Sequence, residues 1–170
     1  GYSQTRDALT LLKRADPDGL VLVATHASDL APVFLAADEY GVEPELGDAA
    51  DLYVDWCLNF AEDNSIAVFV PQRGRSAIAR RIDDFVARGV RVLLAADAER
   101  LDVIEDKARL YEAAAASGLP TPIAVAVRSL AGFDEALAAI LERGLEACIK
   151  PPRGVFGAGY WRLRDDVSLF

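Results

Sequence analysis

Residues 148–161 read Cys-Ile-Lys-Pro-Pro-Arg-Gly-Val-Phe-Gly-Ala-Gly-Tyr-Trp, and this stretch holds the residue types best suited to chemistry. Lys150 closes an apolar run, so its ammonium is expected at the end of a half-buried strand, carried by held backbone. Gly154, Gly157 and Gly159 then remove side chains that would keep a ligand off the main chain. Backbone N–H groups can turn toward an anion in such a loop. A fixed cation beside turned amides is the chemistry of a phosphate grip. The same residues also make an ordinary glycine turn, and the stretch alone does not separate the two. The G-x-x-G-x-G order is not the dinucleotide fingerprint, and no G-x-x-x-x-G-K-[ST] sequence exists, which excludes a P-loop.

Other candidates sit at the ends of expected strands. His26 lies in the loop Thr25-His26-Ala27-Ser28-Asp29, and Arg73 and Arg75 flank Gly74 after a second strand. Arginine suits a carboxylate by bidentate bonding. A lone polar loop histidine and solvent-exposed or helix-pairing arginines are the plainer explanations. Lys107 opens a helix behind Asp106.

The elements that must position these residues follow from periodicity and punctuation. Ser3 is expected to cap a helix over 4–15, and Asp16-Pro17-Asp18-Gly19 is a turn. Leu20 to Ala24 is a continuous apolar run, as in a strand covered on both faces. Leu30 to Ala37 suggests a short helix, and acidic residues with Pro and Gly over 38–47 suggest a loop. Tyr53, Trp56, Cys57 and Phe60 share one face of a helix over 48–63 and belong to a core. Strands over 66–70 and 90–94 bracket a helix from Ser76 to Arg88, which Gly89 closes. This is the rhythm of an α/β parallel sheet, whose ligands gather at the carboxyl ends of the strands.

After residue 105 the pattern changes. A helix from Leu101 to Gly118, with Asp106 as a cap, gives way to a strand over Ile123–Val127 and a helix from Ser129 to Gly144. A strand over 146–150, the glycine loop and a strand over 160–163 then form an antiparallel hairpin. The expected division is 1–105 and 106–170, the second part being α+β.

Composition bounds the rest. The 170 residues are 52% apolar and 26% charged, an ordinary globular balance. A net charge of −9 argues against nucleic acid as a partner. Residues 1–105 carry 10 basic and 19 acidic residues, against 8 of each over 106–170, so an anion is better received in the second part. No apolar run approaches a membrane span, and no export signal opens the chain. Cys57 and Cys148 are expected as free core thiols in a reducing cytoplasm. No CxxC and one histidine leave no zinc pattern. The absence of methionine suggests a fragment of a larger protein.

The order Asp106-Lys107, Gly118-Leu119-Pro120-Thr121-Pro122, Ile149-Lys150-Pro151 and the glycine loop resembles the ATP-grasp superfamily. The resemblance covers a Rossmann-like pre-ATP-grasp domain over 1–105 and the start of the ATP-grasp N-lobe over 106–170. It implies that Lys107 and Lys150 reach ATP phosphates from two sides and that the loop of Gly154, Gly157 and Gly159 folds over them. It implies an enzyme that makes an acyl-phosphate from a carboxylate and ATP, which an amine, thiol or other nucleophile then attacks. His26, Arg73 and Arg75 become candidates for the small-molecule carboxylate. Mg²⁺ is implied, with its ligands in a later lobe; Asp165 and Asp166 come too early to be assigned to it. A fragment without that lobe is expected to be inactive. A regulatory or ligand-binding module keeping the fold without catalysis is the alternative, and assembly of identical chains is left open.

Overall fold

The computed structural model describes residues 2–47, 49–154 and 159–163. Gly157, Asp165 and Asp166 lie outside the described residues. The chain divides into two compact units, Gly1–Ala49 and Ala50–Phe170.

In the first unit, helix α1 spans Tyr2–Ala15, so Ser3 lies inside the helix and not before it as a cap. Strand β1, Val23–His26, pairs in parallel with β2, Glu39–Val42, from Val23 opposite Glu39 to His26 opposite Val42. Two expectations are corrected here. The apolar run at Leu20 yields a strand only from Val23, and the acidic segment read as a loop contains β2. Asp38 explains both. Its carboxylate accepts the Leu22 N–H at 2.8 Å and the Lys13 ammonium at 2.9 Å, and the Asp38 N–H donates to Leu22 O at 2.8 Å. The ladder therefore starts beyond this clasp. The Leu22 N–H and then Lys13 hold the Asp38 carboxyl below the usual carboxylate range. A 3₁₀ turn, Pro32–Ala36, replaces the expected short helix. Ala24, Ala31 and Val33 are buried together, with Leu9 and Phe34 packed against them.

The second unit begins with helix α2, Ala50–Asp63. Tyr53, Val54, Cys57, Leu58 and Ala61 are buried, and the Trp56 ring stacks on Tyr53 at 6.0 Å and meets Phe60 in a tilted contact at 5.2 Å. Of the expected stripe, Tyr53 and Cys57 are core, while Trp56 and Phe60 are half-buried at its margin. Strand β3, Val68–Phe69, pairs in parallel with β4, Arg91–Val92. The helix expected between them is two helices, α3 (Arg75–Arg80) and α4 (Ile82–Ala87). Arg81 leaves helical geometry (φ −116°, ψ 25°), and its guanidinium bonds Asp55 at 2.5 Å and Asp84 at 2.7 Å. Phe85 is fully buried and stacks on Phe69 at 5.6 Å. Burying a ring of this size contributes roughly 1.5–3 kcal/mol. Gly89 (φ 76°) ends α4, with the Val90 N–H returning to Phe85 O at 2.9 Å.

Helices α5 (Ala98–Glu105) and α6 (Lys107–Ala116) replace the single helix expected from Leu101. Asp106 is the break and the cap at once. It is extended, and its Oδ1 accepts the N–H groups of Ala108 at 3.0 Å and Arg109 at 3.2 Å. Residues 123–127 run without a ladder partner among the described residues, so the expected strand there is absent. Helix α7, Leu130–Leu141, is capped by Ser129, whose Oγ accepts the Gly132 N–H at 3.1 Å. Strand β5, Ala147–Ile149, pairs antiparallel with β6, Trp161–Leu163, as predicted. Cys148 is exposed, which corrects its reading as a core thiol; it points to the face opposite buried Ala147. No helix among the described residues is long and apolar enough to cross a membrane.

Candidate functional site

Strand β5 delivers Lys150 as the residue just past its end. The side chain is exposed, and its ammonium lies 5.6 Å from the centre of the Tyr160 ring on the returning arm of the hairpin. A cation over a ring face is attracted by the ring quadrupole without using its N–H donors. Those donors remain able to meet an anion.

The loop that follows is fixed at both ends. Gly154 has φ 149° and Gly159 φ 71°, conformations open to glycine and strained for other residues. A Cβ on Gly159 would sit 3.2 Å from the Pro151 ring, a tight contact that the ring would have to relieve by a few tenths of an ångström.

Lys107 reaches this loop from the start of α6. Its Nζ donates to the carbonyls of Gly154 at 3.0 Å, Pro151 at 3.3 Å and Pro152 at 3.4 Å. Its backbone N–H donates to Pro152 O at 2.9 Å. The structure therefore brings Lys107, Lys150, Gly154 and Gly159 around one loop, with different commitments for the two lysines.

Below the corner between α5 and α6 lies a charged cluster that the spacing of the motifs did not single out. Asp102 Oδ1 accepts the Ser76 hydroxyl at 2.6 Å, and its other oxygen accepts from Arg80. Arg80 also donates to Ser76 Oγ at 2.8 Å, and Arg153 of the glycine loop lies 3.8 Å from Asp102. The Ser76 hydroxyl holds the Asp102 carboxyl below its usual range; burial opposes this, and Arg80, Arg153 and Arg109 add to it. With Gly74 and Glu105 these groups line a cleft of about 330 Å³. The available signal was the one-turn spacing of Ser76 and Arg80, which puts both on one face of α3.

The remaining candidates have internal partners. The Arg73 guanidinium sits 4.9 Å over the Tyr53 ring. Arg75 Nε donates to Glu105 at 2.8 Å. His26 belongs to the first unit, where Nδ1 accepts the Ser28 N–H at 2.8 Å, leaving the neutral ring's proton on Nε2. Among the described residues, no group of three or more His, Cys, Asp or Glu could hold a metal ion.

No protein-family model matches the chain, and comparison with curated proteins finds no match. Solved structures do match. The chain is similar to N5-carboxyaminoimidazole ribonucleotide synthetase from Thermus thermophilus, with a TM-score of 0.61 and 22% identity over 98% of this chain and 40% of that one. It is similar to a single-chain, multi-domain long-chain acyl-CoA carboxylase (0.54, 26%), over 95% of this chain and 16% of that one. Pyruvate carboxylase from Rhizobium etli gives 0.57 and 19%, over 95% of this chain and 15% of that one. The chain thus spans less than half of each. Over these residues it has the α/β fold of ATP-grasp enzymes, in keeping with the resemblance read from its sequence.

Proposed function

We propose that the chain is the N-terminal part of an ATP-dependent carboxylate ligase of ATP-grasp type. The observation that carries this reading is the hairpin that sets exposed Lys150 beside the glycine loop, within a fold shared with a synthetase and two carboxylases. Lys150 is the principal cation for the ATP phosphates, Lys107 the second, and the loop of Gly154, Gly157 and Gly159 their cover. The division near residue 105 into a pre-ATP-grasp domain and an N-lobe belongs to the same reading, as does a cytoplasmic location.

The chemistry is phosphoryl transfer. A carboxylate oxygen attacks the γ-phosphorus of ATP, the bond to the ADP oxygen breaks, and an acyl-phosphate forms. An amine or other nucleophile then attacks the acyl carbon, and inorganic phosphate leaves. Fixed cations and oriented amides neutralise charge on the moving phosphoryl group. Mg²⁺ would supply further neutralisation; the described residues offer no cluster for it, and none is assigned to it. For the carboxylate, Arg73, Arg75 and His26 are the candidates. Arg75 would have to exchange its Glu105 partner for substrate.

The test is calorimetric titration of the intact protein with ATP and Mg²⁺, together with trapping of an acyl-phosphate as a hydroxamate by hydroxylamine. Micromolar binding that disappears in Lys150→Ala, with carboxylate-dependent hydroxamate, supports the reading. Unchanged ATP affinity in Lys150→Ala overturns it.

A further inference from the structure

We propose that Lys107 is a positioning residue that clasps the glycine loop, and that its ammonium is not an open phosphate ligand in the nucleotide-free protein. An ammonium has three N–H donors. Three loop carbonyls, those of Pro151, Pro152 and Gly154, accept them. The backbone N–H of the same residue holds Pro152 O, so Lys107 grips the loop by main chain and side chain together. Asp106, capping α6 through Ala108 and Arg109, fixes the helix start from which Lys107 reaches. The Arg153–Asp102 pair at 3.8 Å is a second and weaker hold on the same segment.

The functional consequence rests on the nucleotide reading above. A phosphate that takes a hydrogen bond from Lys107 must displace a loop carbonyl, so nucleotide binding and release of the loop entry are coupled through one ammonium. Lys150, over the Tyr160 ring, carries no such coupling.

Hydrogen–deuterium exchange of the nucleotide-free chain at the residue 107 amide, the N–H that holds the loop entry, tests the clasp. Lys107→Met keeps the length of the side chain and removes its donors. It should speed exchange at the residue 107 amide, which donates to Pro152 O, about tenfold, the scale of a lost hydrogen bond to a charged group. Lys107→Arg, which can still donate to carbonyls, should restore most of the protection, and Lys150→Met should leave it unchanged. Unaltered exchange in Lys107→Met overturns the proposal, as does equal acceleration in Lys150→Met. Should Lys107→Met fail to fold, the unsubstituted chain decides, since it contains only Lys13, Lys107 and Lys150. A Lys107 ammonium resonance whose protons exchange more slowly than those of Lys150 supports the clasp; equal rates overturn it. Absence of ATP binding would remove the nucleotide reading and leave the clasp standing, whereas unaltered exchange in Lys107→Met with intact ATP binding would do the reverse.

Discussion

The corner between α5 and α6 and the β5–β6 hairpin carry the same kinds of charged residue and use them differently. At the corner, Asp102, Asp106 and Lys107 are bonded to hydroxyl, amide and carbonyl groups of the chain. On the hairpin, Lys150 meets a ring face, and Arg162 pairs with Glu146 across the two strands in the open. Charge that is half-buried and hydrogen-bonded to the chain fixes geometry, whereas charge left in the open stays available to a ligand and adds little stability. The two regions divide the work of shaping a site and of filling it.

Lys150→Ala should have the largest effect. Loss of the exposed cation should weaken ATP binding by about a hundredfold, near the upper range for a hydrogen bond to a charged group, with little change in Tm. A comparable loss of Tm would erase the contrast with the corner. Asp102→Asn should do the opposite, lowering stability by about 1–2 kcal/mol at neutral pH in denaturant unfolding. The pH dependence has a defined sign. The folded Asp102 carboxyl is held below its usual range, so its contribution is full above the ordinary carboxylate value and fades as pH falls through the lower folded one. Asn cannot titrate, so the gap between the two proteins should close in acid; a gap constant with pH would contradict the assignment.

Gly159→Ala comes next, with a cost of about 1 kcal/mol for a left-handed residue, raised by the Pro151 ring at 3.2 Å. Thermal unfolding would register it, and no change would mean the hairpin arms are not held together there. Arg162→Gln should be the smallest effect, with Tm scarcely changed in thermal unfolding, as for exposed ion pairs generally. A larger loss would show that the hairpin depends on its charges as the corner does.

Much of this arrangement was legible where a local rule decides the outcome. Asp106 is a cap, as expected, because its side chain bonds amides two and three residues ahead; Ser129, read as the first residue of its helix, caps it by the same rule. The hairpin was legible because apolar runs flank a glycine turn. The strand β2 was hidden because Glu39–Val42 lies in an acidic stretch with Pro and Gly and itself contains Gly41, and its pairing with β1 makes it a strand. The reverse error fell on Ile123–Val127, where strand-forming residues find no ladder among the described residues. The break at Arg81 depends on Asp55, 26 residues away. The grip of Lys107 on the loop depends on carbonyls 44 to 47 residues away. Lysine and glycine types pointed to the right neighbourhood, but contacts over that separation set what each lysine does.

The pair Pro151-Pro152 gives the loop entry a chemical polarity. Proline has no backbone N–H, so between Lys150 and Arg153 the main chain offers acceptors and no donors. Those acceptors are the ones that Lys107 occupies. An anion approaching along the loop finds its first amide hydrogen past Lys150 at Arg153. The proline pair therefore separates the Lys150 main chain from the first amide by at most about 7 Å, at 3.3–3.6 Å per extended residue. A glycine or alanine at either proline would add an amide inside that interval and blur where an anion settles.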